Sequence, residues 1–133
     1  MKGIYVLIIK INQPIQPKIG ALGEIAFSAG LYAYVGSAQN NLEARVRRHL
    51  SKEKRLFWHI DYLLADPAAK VIDVYCLGGE KRCECQTAQL LSQRSVPVHN
   101  FGCSDCNCPS HLYFSESFDF LANKMEKFAL LGE

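Results

Sequence analysis

The N-terminal segment constrains the fold most strongly, because residues 2–11, KGIYVLIIKI, are dominated by β-branched and other apolar side chains. Such a run predicts a strand, which Asn12, Pro14 and Pro17 then end. The run has no small-residue cleavage site, so a strand is a better interpretation than a secretion signal. No apolar run reaches the length of a membrane span, which predicts a protein with no membrane partner.

The rest of the chain alternates between strand and helix patterns. The predicted elements are a hairpin arm at 18–27, strands at 31–37, 69–77 and 111–115, helices at 41–50, 56–65 and 82–93, a loop at 95–110 and a short C-terminal helix. Asn40 or Asn41 is the expected N-cap of the first helix. A chain of 133 residues suits one core. We expect one α+β domain over residues 1–133, a small, mainly antiparallel β-sheet flanked by helices.

The six cysteines, without an export signal, predict a reducing compartment, and we expect a cytoplasmic protein. Four soft metal ligands lie close together in a Cys/His-rich loop at about 101–111: Cys103, Cys106, Cys108 and His111. The spacing C-x₂-C-x-C-x₂-H makes the loop a candidate structural Zn²⁺ site, and Cys85 could replace Cys103 as the fourth ligand. The alternative is a set of reduced thiols in a packed loop, with His111 hydrogen-bonded at the start of a strand.

Positive charge is concentrated in one segment, although the formal net charge is only +2. Six of the fifteen Lys and Arg residues lie between positions 45 and 55, with Glu53 as the acid among them. A local basic patch on a nearly neutral protein favours a polyanionic partner. The alternative is a solvated helix face.

The helix at 41–50 carries two side-chain rows with helical spacing. Leu42, Val46 and Leu50 form an apolar stripe at i, i+4 and i+8. Arg45 and His49 are also four residues apart and lie along one edge of that stripe. We expect both at the boundary between core and cleft, where a guanidinium can hold a phosphate. The remaining arginines of this helix, Arg47 and Arg48, are expected to face solvent.

Three motifs occur in a fixed order: Gly3-Ile4-Tyr5, Tyr34-Val35-Gly36 and the helix LEARVRRHL. Together they resemble the GIY-YIG nuclease superfamily, although the second motif has valine in place of isoleucine. The further segments HIDYLL, a Glu-Cys pair and SDCNCPSHL extend the resemblance to the Uri-type branch, over roughly residues 3 to 114. That branch is assigned as endonucleases largely by motif.

The resemblance implies a catalytic group that should converge at one site: Tyr5, Tyr34, Arg45, His49 and Glu84. It gives Glu84 the role of binding Mg²⁺ or Mn²⁺ and Arg45 that of offsetting phosphate charge. One of the two tyrosines would help to deprotonate or position the attacking water. The alternative for His49 is a capping or packing role. The alternative for Glu84 is that of an acid in the first turn of a helix, where a negative charge is favourable for the helix dipole.

Three other residues are weaker candidates for the same site. Asp61 and Asp73 compete with Glu84 as the metal-binding carboxylate, and Asp61 could equally serve a structural hydrogen bond. Asn100 lies after Glu84 at a distance along the chain that loosely matches that of an asparagine in the superfamily.

Phe57 and Trp58 could stack on unpaired bases, but core packing is the commoner role of such residues.

The resemblance implies a metal-dependent DNA endonuclease, and we expect it to be structure- rather than sequence-selective, with single-stranded, branched or damaged DNA as candidate substrates. A single domain with one basic patch has little surface for base readout, so a protein partner could supply the targeting. The expected nucleic-acid contacts are Gly36, Ser37, Arg47, Arg48, Lys52, Lys54 and Arg55. The alternatives are a non-catalytic nucleic-acid-binding module and a zinc-stabilised interaction domain on the same fold.

Overall fold

One antiparallel sheet carries the fold. The computed structural model describes residues 2–51, 55–56, 58–80, 82–98, 100–102 and 110–127. The strands are β1 (Gly3–Ile11), β2 (Gly30–Ala38), β3 (Ala69–Gly78), β4 (Val96–Pro97), β5 (Leu112–Ser115) and β6 (Glu126–Lys127). The helices are α1 (Leu42–Leu50), α2 (His59–Leu64) and α3 (Arg82–Ser92). The predicted α+β class with a small antiparallel sheet is confirmed.

The N-terminal strand lies in the middle of the sheet. The strand order is β4-β5-β2-β1-β3-β6, and every neighbouring pair is antiparallel. β1 therefore has both edges paired. Its nearly continuous apolar sequence agrees with the burial of its side chains on both faces of the sheet. In this register Tyr5 lies opposite Gly36 on one side and Cys76 on the other.

The sheet separates two hydrophobic clusters, because successive residues of a strand point to opposite faces. Tyr5, Leu7 and Ile9 of β1 pack on the face covered by α1 and α2. Ile4, Val6 and Ile8 pack on the other face against Ala88 and Leu91 of α3 and against the segment at 118–125. Hence α3 and α1 lie on opposite faces of the sheet.

Helix α1 begins where the sequence predicts. The side chain of Asn41 accepts a hydrogen bond from the backbone N–H of Ala44 at 3.0 Å, which identifies Asn41 as the N-cap. Leu42 and Val46 are buried against the sheet. No helix in the described part of the chain is long and apolar enough to cross a membrane.

Several short elements differ from the predictions. The hairpin arm at 18–27 consists of isolated bridges around a 3₁₀ turn at Gly20–Leu22. The predicted C-terminal helix is a 3₁₀ turn, Asp119–Asn123, followed by β6. The strands β4 and β6 were not predicted, because two residues are too few to show an alternating pattern.

A buried carboxylate sets the start of α2, which is shorter than the predicted helix at 56–65. Asp61 is 0% exposed, and its Oδ2 accepts the backbone N–H of Trp58 at 2.9 Å. Arg48 donates to both carboxylate oxygens, each at 3.0 Å, and so joins α1 to α2. Asp61 therefore has the structural role, and the expectation that Arg48 faces solvent is wrong.

Substituting Asp61 with alanine should lower the free energy of unfolding by about 2–3 kcal/mol. A fully buried pair would lose more, but the Arg48 side chain is 29% exposed and can be partly resolvated. Urea unfolding measures the change. The matched control is Glu43→Ala, which removes an exposed 3.9 Å pair with Arg47 and should shift stability by under about 0.5 kcal/mol. Equal losses in the two variants would contradict the role of Asp61.

Candidate active site

The phenol of Tyr5 lies at the centre of the candidate site. Its hydroxyl is 2.7 Å from Nε2 of His49 on α1, and both side chains are 2% exposed. The ring crosses Gly36 of β2, where a Cβ atom would come within 2.5 Å of Cζ and of the hydroxyl oxygen of Tyr5. Glycine at this position therefore provides the space for the phenol. This explains physically why the two motifs occur together.

Tyr34 lies beside Tyr5 on the same face of the sheet. Its ring makes edge contacts with His49 and Phe101, at centroid separations of 6.1 and 6.2 Å. Gly102, at φ +73°, passes close to it, since a Cβ there would lie 3.2 Å from Cε1 of Tyr34. The backbone N–H of Gly102 donates to Nδ1 of His59 at 2.9 Å, and this bond fixes the segment against α2.

Arg45 reaches the same place from α1. Its Nη1 donates to the backbone carbonyl of Ser37 at 3.1 Å, and its Cζ lies 4.5 Å from the centre of the Trp58 ring. The guanidinium also acts on Tyr5 through its charge and through hydrogen bonding. Tyr5, Tyr34, Arg45 and His49 therefore lie close together, as the sequence predicts.

Glu84 belongs to α3, which packs on the face of the sheet opposite α1. It lies in the first turn of α3, is 14% exposed, and its Oε1 is 2.9 Å from Nδ1 of His111. His111 precedes β5 and adjoins Gly102, whose added Cβ would be 3.4 Å from the Cβ of His111. The charge of Glu84 raises the pKa of both Tyr5 and Tyr34, so the carboxylate acts on the same phenols as Arg45.

Burial keeps both phenols neutral at ordinary pH. It raises the pKa of Tyr5 from 10.0 to about 12, and the opposing effect of Arg45 is smaller. Burial also raises the pKa of Tyr34 well above 10, with Tyr5, Glu84 and Asp61 acting in the same direction. A tyrosinate base would therefore need additional positive charge beside Arg45.

The predicted basic patch is only partly available to a ligand. Arg47 is 54% exposed, whereas Arg48 is engaged with Asp61 and with the backbone carbonyl of Arg55. Arg55 is exposed, and Lys52 and Lys54 lie outside the described residues. The contacts of these side chains with nucleic acid stay predictions.

The zinc hypothesis falls mostly outside the described residues, since Cys103, Cys106 and Cys108 all lie in 103–109. Cys85 is half-buried on α3, and His111 faces Glu84. Within the described part of the chain, no group of three or more His, Cys, Asp or Glu side chains is placed to hold a metal ion.

Other residues have roles that the motifs did not indicate. The hydrogen bond between Gly102 and His59 holds the segment that packs on Tyr34. No local pattern in the sequence indicates this bond, because the two residues are far apart along the chain. Asn100 is exposed and has φ of 66°, a left-handed conformation that asparagine tolerates, which accounts for its presence in this turn. Asp73 lies 3.0 Å from Lys127 on the outer part of the sheet. Phe57 is outside the described residues.

Comparison with protein families places the chain in a group defined by sequence. A family model described as a domain of unknown function, DUF123, matches residues 4–130, which include β1, the three helices and β6. The chain belongs to the DUF123 family. No curated protein and no solved structure matches it. The matched range includes every described residue of the candidate site.

Substituting Gly36 with alanine in this DUF123 domain should displace the Tyr5 phenol and lower the free energy of unfolding by about 1–3 kcal/mol, because the ring is buried and has no room to retreat. Gly78→Ala is the control, since a Cβ at Gly78 meets nothing within 4 Å. Urea unfolding of both variants tests this. Equal stability of the two would show that the close packing of Tyr5 on Gly36 is wrong.

Raising the pH from 9 to 11 should destabilise the parent by about 1.4 kcal/mol more than Tyr5→Phe. The pKa of Tyr5 is about 12 in the folded state and near 10 when unfolded, so the folded state binds more protons in this range. Its stability consequently falls as the pH rises. Urea unfolding at the two pH values gives the difference, and parallel pH dependences in the two proteins would contradict the burial of this phenol.

Proposed function

We propose that this DUF123 domain is a metal-dependent nuclease that hydrolyses phosphodiester bonds in DNA. The observation that carries the proposal is the cluster on the α1 face of the sheet, where the Tyr5 hydroxyl is 2.7 Å from Nε2 of His49 and the Tyr34 ring contacts the same histidine. The charges of Arg45 and Glu84 both act on these two phenols. A guanidinium and a carboxylate beside neutral hydroxyl groups are a suitable set for phosphate chemistry. The motif order, which resembles the GIY-YIG superfamily and its Uri-type branch, supports the same function.

Tyr5 and His49 provide a route for a proton. Because its pKa is about 12, the Tyr5 hydroxyl is protonated at neutral pH, and it donates to Nε2 of His49 when the histidine carries its proton on Nδ1. A water attacking the phosphate can then give its proton to the phenol oxygen while the phenol proton passes to His49. The tyrosine stays neutral throughout, so the high pKa favours this relay over a tyrosinate base.

Arg45 and Glu84 have complementary roles. The planar fork of Arg45 offsets charge on the scissile phosphate or on the leaving oxygen. Glu84 offers a hard oxygen ligand that fits Mg²⁺ or Mn²⁺, and a single carboxylate is enough for Mg²⁺, which keeps several waters and takes phosphate oxygens. When bound, such an ion would supply positive charge for the developing oxyanions.

The proposed substrate is DNA with single-stranded, branched or damaged character, and the protein is proposed to act in the cytoplasm. Arg47 and Arg55 are exposed near α1, a surface that suits contacts with the backbone more than base readout. A partner protein for targeting and a structural zinc in the Cys/His segment both stay predictions from the sequence.

Cleavage of labelled single-stranded, duplex and branched DNA with Mg²⁺ or Mn²⁺ tests the proposal. Arg45→Ala and Glu84→Gln should each lower kcat about 100- to 1000-fold, the usual effect of removing one group that stabilises the transition state. Glu43→Gln is the matched control, since Glu43 is an exposed acid on α1 and should leave the rate unchanged. The metal dependence should be lost in Glu84→Gln.

Two results would overturn the proposal. Cleavage that survives both Arg45→Ala and Glu84→Gln would come from another site or from a contaminant. Binding of DNA without cleavage by the parent, with either metal, would identify a nucleic-acid-binding module instead.

A further inference from the structure

Two arginines of α1 lie over one aromatic ring. The Cζ atoms of Arg45 and Arg48 are 4.5 and 4.3 Å from the centre of the Trp58 ring. Contacts of this kind between a guanidinium and an indole are favourable, most of all when partly removed from water. Trp58 is half-buried just before α2, so the ring joins the two helices that cover the Tyr5 face.

The ring itself is held from two directions. The backbone N–H of Trp58 donates to Asp61, and Arg48, which lies over the ring, donates to the same carboxylate. Asp61 is fully buried, so this arrangement is anchored in the core. The backbone of Trp58 and one of the two guanidinium groups over its ring are therefore both bonded to the same buried carboxylate.

The contact with the face of the Trp58 ring uses none of the hydrogen-bond donors of Arg45. A guanidinium donates hydrogen bonds in its own plane, whereas an aromatic ring contacts its face. One in-plane donor of Arg45, Nη1, is directed to the carbonyl of Ser37. The ring and the carbonyl together fix both the tilt and the rotation of the group without using all five donors.

We propose that Trp58 is a positioning residue that holds the Arg45 guanidinium in the orientation needed to receive a phosphate. The inference rests on the nuclease function proposed above. It also assigns Trp58 a role other than base stacking, since a nucleobase would compete with the guanidinium groups for the same ring. The side chain acts on the reaction through Arg45 and does not touch the substrate.

A double-mutant cycle tests the coupling through kinetics. Trp58→Leu should lower kcat about 3- to 30-fold with KM changed less than about twofold, because the ring orients a group used in the transition state. Trp58→Phe, which keeps an aromatic ring, should recover most of that loss. In an Arg45→Ala background the Trp58→Leu change should have an effect of less than about twofold.

The control for general damage to α2 is Tyr62→Leu. The Tyr62 ring packs against Gly20 on the same helix layer, and its removal should leave kcat within about twofold of the parent. If Trp58→Leu lowers kcat by the same factor with and without Arg45, the proposal is overturned. A loss in Trp58→Phe as large as that in Trp58→Leu would overturn it as well.

Fluorescence separates this inference from the nuclease proposal. Trp58 is the only tryptophan in the chain, so emission excited at wavelengths longer than those that tyrosine absorbs reports this ring alone. Arg45→Ala should change the emission maximum or intensity, whereas Arg47→Ala, an exposed neighbour, should not. Unchanged emission in Arg45→Ala refutes the stack. An Arg45-dependent spectrum in a protein that cleaves no DNA supports the stack and rejects only the nuclease function.

Discussion

The packing of Tyr5 over Gly36 decides where the other groups of the candidate site can lie. The two residues face one another across the central strand pair, and the absence of a side chain at Gly36 lets the phenol reach Nε2 of His49. His49 in turn fixes the rotation of α1 about its axis. Arg45, one turn earlier on that helix, is then directed toward the same phenol. A chain with a larger residue at position 36 would lose the hydrogen bond and the alignment of the helix together.

The site draws on both layers of the domain. Tyr5, Tyr34 and Arg45 lie on the face covered by α1 and α2, whereas Glu84 begins the helix on the opposite face. The two sets meet near the start of β5, where His111 lies beside Glu84 and adjoins Gly102. Burial dominates the pKa shifts of both phenols, and the charges of Arg45 and Glu84 act on them in opposite directions.

Local sequence patterns predicted the long elements, whereas the residues of the candidate site were expected from the resemblance of the motifs. β1, β2 and α1 follow directly from apolar periodicity and from the cap at Asn41, and the i, i+4 spacing correctly placed Arg45 beside His49. The spacing could not show that Arg48 turns back to Asp61, because that contact depends on where α2 docks. Nor could it show that Glu84 arrives from the other face, since the side of the sheet on which a helix packs is set by the tertiary connections. Those are properties of the assembled fold and leave no local signature.

The arrival of Glu84 from the opposite layer has a consequence for a chain during synthesis. Tyr5, Tyr34, Arg45 and His49 all precede α3 in the chain, so they are synthesised before the carboxylate of Glu84. If the proposed function is correct, an emerging or truncated chain would attract polyanions yet leave their backbones intact.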